Sequence, residues 1–410
     1  MWVRCGGGEG NGRAAIADFI PNVALLQNYH ISLPLDKCYL ARNFTNMKTD
    51  HTIYFTSSQN MQSIDDATVD LVVTSPPYPM IEMWDEILSQ QNPAIADALL
   101  RNTALAFELM HQELDKVWRE CYRVIKDGGL MCINIGDATR TINKEFQLYN
   151  NHARIVDACL KLGFVNLPNI IWRKQTNAPN KFMGSGMLPC GAYVTLEHEW
   201  ILVFRKGGKR SYKEEADKAT RRSSSFFWEE RNKWFSDLWE IKGVKQKINN
   251  SQTRERNASY PLEIPYRLIN MYSQQGDVVL DPFVGLGTTT IASLLTGRNS
   301  IGVDIDAALE PSIRENIGGL QIDALNGLIA DRYNKHLDFV KEREAQGKEV
   351  KYENDHLKCK VMTSQEVDIN LHYIGAITAA KHRPLSYECT YLVDVPISEY
   401  TSADRSSLFY

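Results

Sequence analysis

The chain has 410 residues, 43% of them hydrophobic and 23% charged, with a formal net charge of −4. That is the composition of a globular protein able to bury a core, in one large domain with additions or in two, and the net charge does not mark a nucleic-acid binder. No run of about 18 apolar residues is present, which argues against a membrane-spanning helix, and the start lacks the basic-then-apolar layout of a secretory signal.

In chain order, residues 1–48 form an N-terminal extension that opens with a glycine-rich stretch, Met1 to Gly12. His51 to Phe55 is a short β-rich run. Asp70 to Thr74 is a compact apolar run stopped by Ser75-Pro76-Pro77, the pattern of a buried parallel strand feeding a loop. Leu105 to Ile125 has helical spacing and halts at Asp127-Gly128-Gly129, a turn signal. Leu130 to Ile135 reads as a second buried strand, Ala153 to Leu162 as a helix closed by Gly163, and Val165 to Trp172 as strand-like. Glu199 to Phe204 is a further strand, broken at Gly207-Gly208.

Between Arg205 and Arg256 stand 15 Lys or Arg against 8 Asp or Glu, interleaved with Tyr212, Phe226, Phe227, Trp228, Trp234, Phe235 and Trp239. Such a mixture suits phosphate neutralisation and base stacking. It equally suits a solvated charged excursion over a small aromatic cluster. Beyond it, Pro261 to Ser273 is helical, Asp277 to Leu280 a strand, Thr288 to Thr296 a helix, and Ser300 to Val303 a strand ending at Asp304. Strand and helix units alternating in this way predict an α/β fold with a mostly parallel sheet. From Arg332 to Asp355 the chain is rich in Lys and Glu. Cys389 to Val395 is one more expected strand, and no chemistry is assigned to the last 80 residues.

The eight cysteines are scattered without a Cys-x-x-Cys pair. This argues against a disulfide framework or a four-ligand zinc site and points to a reducing cytoplasm. His356 and Cys359 are spaced like metal ligands but lack a second pair, so no metal is expected.

Two loops carry chemistry. Asp281-Pro282-Phe283-Val284-Gly285-Leu286-Gly287-Thr288-Thr289 lies between a strand and a helix, where open parallel sheets bind ligands. Its glycines admit a ligand close to the backbone, and the following helix offers unpaired N–H groups. Asp304, at the end of the next strand, is placed to hold ribose hydroxyls. NAD fits this layout too, but Thr290 stands where a dinucleotide motif has its third glycine. In the second loop, Thr74-Ser75-Pro76-Pro77-Tyr78, two prolines remove N–H donors and leave carbonyl acceptors, Ser75 adds a side-chain acceptor, and Tyr78 offers a flat face for a base. Acceptors of this kind suit an amino group whose lone pair must turn toward an electrophile. A rigid turn with a packed tyrosine is the plainer reading of that loop alone.

With both loops in view, the chain resembles the amino-group DNA methyltransferases, in the permuted order that puts the catalytic loop first. The resemblance spans about His51 to Asp306 and includes Trp118 to Asp137, His198 to Lys206 and Tyr260 to Tyr266. It implies a Rossmann-like fold that binds S-adenosylmethionine, with a catalytic half at 49–206, an inserted target-recognition region at 207–258, a cofactor half at 259–330 and an extension at 331–410. It further implies catalytic roles for Ser75, Pro76, Pro77 and Tyr78, and cofactor contacts from Asp281, Phe283, Gly285, Gly287, Thr288, Thr289 and Asp304. The implied partner is double-stranded DNA, with any restriction endonuclease a separate chain. Thr56-Ser57 stands where relatives often carry Gly-Asp against the cofactor's adenine, so that contact is not carried over.

Within the family, Ser-Pro-Pro-Tyr is typical of enzymes acting on the N4 amino group of cytosine, whereas Asp or Asn in first place is usual for adenine N6. Cytosine is therefore favoured, with adenine the alternative. RNA amino-methylation, a binding protein with a decayed site, and carbon-5 methylation through Cys190 are the remaining rivals. The last would leave Ser75 to Tyr78 without a purpose.

Overall fold

The computed structural model describes residues 47–174, 183–184, 186–243, 260–380 and 385–392. An eleven-stranded sheet organises them. Its first seven strands in chain order are β1 (Lys48–Phe55), β2 (Val69–Thr74), β3 (Ile125–Ile135), β4 (Phe164–Asn166), β5 (Ile170–Arg173), β6 (His198–Lys206) and β7 (Leu238–Glu240). Then follow β8 (Val278–Asp281), β9 (Asn299–Asp304), β10 (Tyr373–Ala379) and β11 (Ser386–Leu392). Across the sheet the order is β7-β5-β6-β3-β2-β8-β9-β1-β11-β10, with β4 also paired to β6.

The central run β3-β2-β8-β9-β1 is parallel throughout. Antiparallel pairs flank it, β6 on β3 at one side and β11 on β1 at the other. The fold is thus α/β with a parallel centre, as expected from the alternating units. Chain connections leave β2 and β8 in opposite directions, toward β3 and β9. The ends of these two neighbours therefore open a crevice at the sheet's switch point, where α/β folds bind ligands.

Ten helices are described: α1 (Asp85–Gln91), α2 (Ala94–Arg101), α3 (Thr103–Val124), α4 (Asn151–Leu162), α5 (Glu215–Ser223), α6 (Trp228–Trp234), α7 (Glu263–Tyr272), α8 (Thr288–Thr296), α9 (Glu310–Gly318) and α10 (Ile322–Ala345). The alternation of β2 decides which pack where. Leu71 and Val73 share a buried cluster with Ile264 and Leu268 of α7, while Val72 belongs to the cluster of Leu114, Val117 and Trp118 of α3. All six β2 residues are buried, and full burial of each large apolar side chain contributes roughly 1.5–3 kcal/mol. α3 begins where the Asn102 side chain accepts the Leu105 N–H at 3.0 Å, which satisfies one of the helix's open donors. α4 ends on Gly163 at φ 102°.

Three differences from the sequence reading have local causes. Asp127-Gly128-Gly129 is no chain reversal: β3 runs through it, with an irregular register against β2 between Val69 and Leu71. Gly128 takes φ 84° there, and a Cβ would lie 2.7 Å from the Arg210 backbone, so the glycine makes room for a neighbour within the strand. The single strand expected over Val165 to Trp172 is two short ones, divided at Leu167-Pro168-Asn169. The strand expected at Cys389 to Val395 is shifted, spanning Ser386–Leu392, and residues 393–395 lie outside the described residues.

Strands β10 and β11, from the expected C-terminal extension, are part of the sheet. The boundary expected at 330/331 falls inside α10, and β11 closes the open edge of β1. A buried polar thread ties these strands together. His51 bonds Ser300 Oγ and Thr49 Oγ1, both at 2.8 Å, Thr49 Oγ1 bonds the Tyr391 hydroxyl at 3.0 Å, and Tyr391 donates to the Leu294 carbonyl at 2.8 Å. Burial pushes His51 down to about 3, so the ring is neutral and one nitrogen remains an acceptor.

The basic aromatic stretch takes an unexpected place. Arg210 pairs with Asp277 at 2.7 Å and Asp70 at 3.4 Å, residues at the starts of β8 and β2, so this part lies at the opposite end of the strands from Ser75. Phe227, Trp234 and Trp239 are buried. Phe227 stacks on His336 of α10 at 3.9 Å, and α6 is clamped to α10 by Glu230 and Arg332 at 2.7 Å. For these three aromatics the plainer reading, a cluster beneath a charged surface, is the one realised. Residues 244–258 of the expected recognition region lie outside the described residues.

Candidate active site

The crevice is bounded by the two loops. Ser75, Pro77, Asp281, Phe283, Gly285, Thr288 and Asp304 line one cavity, together with Ser57, Ser58, Trp84, Glu113, Ile305 and Leu309. Pro76 is buried beside it, Tyr78 points back toward β3 and β6, and Thr289 and Gly287 stand behind the cavity wall.

The loops are joined at their roots. Thr74 Oγ1, at the end of β2, donates to Asp281 Oδ1 at 2.7 Å, and Thr289 Oγ1, in the first turn of α8, donates to Asp281 Oδ2 at 2.6 Å. The Phe283 N–H adds 3.1 Å to Oδ1. Asp281 is fully enclosed, and burial, opposed by those donors, pushes its carboxyl up to about 6. Desolvation outweighs hydrogen bonding here, and among the described residues no cation pairs with the group. Tyr260 completes the cluster, its hydroxyl 2.5 Å from Thr289 Oγ1.

The glycines of the cofactor loop have backbone reasons. Gly285 sits at φ 52° and Gly287, the residue capping α8, at φ 86°, a region that side-chain-bearing residues enter at a cost. The turn aims the Gly285 N–H at Asp304 Oδ2, 3.0 Å away, while the Asp306 N–H holds Oδ1 at 3.0 Å. Asp304 is thereby fixed at the cavity's rim, next to the apolar side chains of Ile305 and Leu309. Phe283 forms another wall and is backed edge-on by Trp118 at 6.2 Å. A carboxylate, an apolar slot and a glycine-lined floor match a nucleoside that carries vicinal hydroxyls. Ser57 and Ser58 also border the cavity, and the Ser58 hydroxyl donates to the Pro282 carbonyl.

Around the loop from Thr74 to Tyr78 the structure adds residues that spacing did not single out. Tyr78 donates its hydroxyl to Glu199 Oε2 at 2.9 Å, and Asn134 Nδ2 donates to Glu199 at 2.7 Å and to the Tyr78 oxygen at 2.8 Å. Lys174 forms an ion pair with Glu199. A carboxylate only accepts, so the Tyr78 proton is committed to Glu199. The Ser75 hydroxyl, 3.1 Å from the Tyr78 oxygen, must then be the donor of that pair. One of its lone pairs faces Asn134 Nδ2, a donor 3.4 Å away, and the other is left for a substrate. Burial, and next the charge of Glu199, push the Tyr78 phenol well above its ordinary value, which keeps it a donor. The signal for Glu199 was in the sequence, a charged residue opening the apolar run from Trp200 to Phe204. Asn134 stands likewise in a run that is otherwise apolar.

The remaining sequence candidates are accounted for by position. Cys190 is exposed and does not line the cavity that holds Ser75 and Asp281. His356 and Cys359 flank a turn organised by Asn354, whose Oδ1 accepts the His356 and Leu357 N–H groups. Among the described residues, no helix is long and apolar enough to cross a membrane.

With the two joined loops in place, comparison with known proteins decides the family. The sequence profile of the N6/N4 DNA methylases matches residues 69–315. The chain belongs to that family. This DNA methylase is 51% identical over 330 residues to the type II methyltransferase M.MthZI of Methanothermobacter thermautotrophicus, across 80% of its own length and 91% of the relative's. It is 49% identical over 282 residues to the type II methyltransferase M.MjaI of Methanocaldococcus jannaschii, across 66% and 92%. Among solved structures it is similar to TTHA0409, a putative DNA modification methylase of Thermus thermophilus crystallised with S-adenosyl-L-methionine. The TM-score is 0.51 and the identity 31%, over 65% of this chain and 94% of that one.

Proposed function

We propose that this methylase transfers a methyl group from S-adenosylmethionine to the exocyclic N4 amino group of cytosine within a short site in double-stranded DNA, as the modifying partner of a separate restriction endonuclease. The observation that carries the reading is Ser75, whose proton is turned to Tyr78 so that its oxygen accepts.

S-adenosylmethionine supplies an electrophilic methyl group on a sulfonium. Asp304 would hold its ribose hydroxyls, Ile305, Leu309 and Phe283 its apolar parts, and the loop from Asp281 to Thr289 the rest; all of these except Pro282, Gly287 and Thr289 line the one cavity. The target base leaves the stack and enters beside Pro77, a displacement such enzymes require because the reacting atom is inaccessible in the duplex. Ser75 Oγ and the Pro76 carbonyl accept the two amino hydrogens. Those bonds hold the nitrogen lone pair in line with the methyl group, so the rate comes from orientation and electrostatics. The nitrogen becomes acidic as the methyl arrives, and no strong general base is needed. Serine in the first loop position, typical of cytosine-N4 enzymes in this family, supports cytosine over adenine.

Incubation of unmethylated DNA with labelled S-adenosylmethionine, followed by nucleoside mass analysis, tests the reading. N4-methylcytosine is expected; N6-methyladenine would overturn the choice of base. Ser75→Ala is expected to lower turnover at nearly unchanged cofactor affinity, and full activity in that variant would remove Ser75 from the chemistry.

A further inference from the structure

Arg210, in the basic aromatic stretch, pairs at the end of the strands away from Ser75, while the end that carries Ser75 has an exposed aromatic surface of its own. Residues Ala138–Ile142 and Glu145–Tyr149 form a hairpin that leaves β3 just beyond Gly136. Gly136 packs so tightly on Tyr78 that a Cβ would lie 3.0 Å from the ring. The hairpin therefore springs from the floor of the catalytic loop. Its turn residues Asn143 and Lys144 have φ 53° and 68°, the two-residue turn whose twist matches the strands. One face is anchored: Ala138 and Tyr149 are buried, and Arg140 grips Asp85 at 2.9 and 2.6 Å. The other face carries Thr139, Thr141, Phe146 and Leu148, with Phe146 36% and Leu148 44% exposed.

Against this face lies Tyr193, its ring stacked on Phe146 at 4.9 Å and 13°. Tyr193 is 49% exposed and stands in the segment leading directly into Glu199, which takes the Tyr78 proton. Two segments flanking the catalytic loop thus meet in a stacked, solvent-facing aromatic pair. Exposed apolar clusters of this kind mark binding surfaces, and the substrate that must arrive at this end is a DNA duplex. We propose that the Phe146–Tyr193 pair is the wedge that enters the base stack when the target nucleotide leaves it, with Lys144 at the hairpin tip toward the phosphates. Aromatic wedges of this type replace the stacking a displaced base gives up. The inference rests on the reading that the base is rotated toward Ser75, but not on which base it is.

The test uses the full-length enzyme and its own site, located by sequencing DNA methylated in vitro. In the Phe146→Ala, Tyr193→Ala double variant both side chains removed are solvent-facing, and unchanged S-adenosylmethionine affinity reports an intact fold. Affinity for a paired duplex is expected to fall about five- to a hundredfold, the worth of base–aromatic stacking. The fluorescence rise of a 2-aminopurine beside the target is expected to be lost. A mismatch opposite the target lowers the cost of extrusion and is expected to restore most of the methylation rate. Wild-type affinity and fluorescence in the double variant would overturn the proposal, as would a defect equally large on the mismatched duplex. Phe235→Ala, exposed at the other end, is expected to bind DNA normally; a loss there matching the double variant's would also overturn it. Failure of the catalytic reading is distinguishable, because it shows as retained turnover in Ser75→Ala on either duplex.

Discussion

Replacing Asp281 with asparagine tests the electrostatics of the joint between the two loops. The carboxyl is held at about 6 against an ordinary 3.8, chiefly by burial, so its ionisation in the folded protein costs about 3 kcal/mol more than in the unfolded chain. The folded state binds this proton more tightly. Its contribution is therefore fully present below pH 4, falls as pH rises, and is gone above about 6. An asparagine never ionises. Urea unfolding of both proteins at pH 4, 5, 6 and 7 should show wild type losing about 2–3 kcal/mol relative to Asp281→Asn across that range, other titrating groups cancelling in the difference. A flat difference, or one that rises with pH, would refute the argument that desolvation dominates at Asp281. A cationic cofactor favours the ionised carboxylate, so S-adenosylmethionine should bind wild type more tightly as pH rises through 6, a trend that calorimetry should find absent in the variant.

Glu199→Gln leaves Tyr78, Asn134 and Lys174 without their shared carboxylate; turnover should fall about ten- to a hundredfold, as expected for lost bonds to a charged group, with cofactor affinity unchanged in equilibrium dialysis. His51, held at about 3, contributes stability that is present above pH 6.5 and lost as pH falls toward 3. Urea titrations should accordingly show the advantage of wild type over His51→Gln shrinking by about 2–3 kcal/mol between pH 6.5 and 4.5. Arg332→Ala strands Glu230 in the contact between α6 and α10, where breaking a buried pair costs about 3–5 kcal/mol. A loss below 1 kcal/mol in chemical denaturation would show that the pair is solvated.

What the sequence made legible follows from how local each signal was. Thr288 to Thr296 was found to the residue because Gly287 and Gly297 bracket it, both in the left-handed region. The buried strand over Asp70 to Thr74 was readable because both its faces are covered, which forces an uninterrupted apolar run. Asp127-Gly128-Gly129 misled because a glycine that admits the Arg210 backbone has the same spelling as a turn. The aromatics of 207–243 misled for a related reason: Trp234 and Trp239 are tryptophans whether they meet a base or a core, and only the position of α10 decides. At the loop we propose as catalytic, Ser75 and Tyr78 stood out in the motif, but the direction of the Ser75 hydrogen bond depends on Glu199, 121 residues beyond Tyr78, and no spacing rule reaches that far. The C-terminal strands were half seen, since their place beside β1 is a matter of pairing and not of propensity.

That place has a consequence for how the molecule is made. His51 of β1 bonds Ser300, 249 residues later, and Thr52 meets Ser386, 334 residues later. At about 5–20 residues per second on the ribosome, β1 waits roughly 12–50 s for β9 and longer still for β11. For that interval β1, with Ile53, Tyr54 and Phe55 at its end, lacks both of its neighbours in the sheet, and the crevice between β2 and β8 does not exist. Assembly of the sheet is thus a late event in synthesis, dominated by distant pairings that fold slowly. Until those distant strands arrive, the nascent chain carries unpaired strand edges, the state in which chains are prone to aggregate.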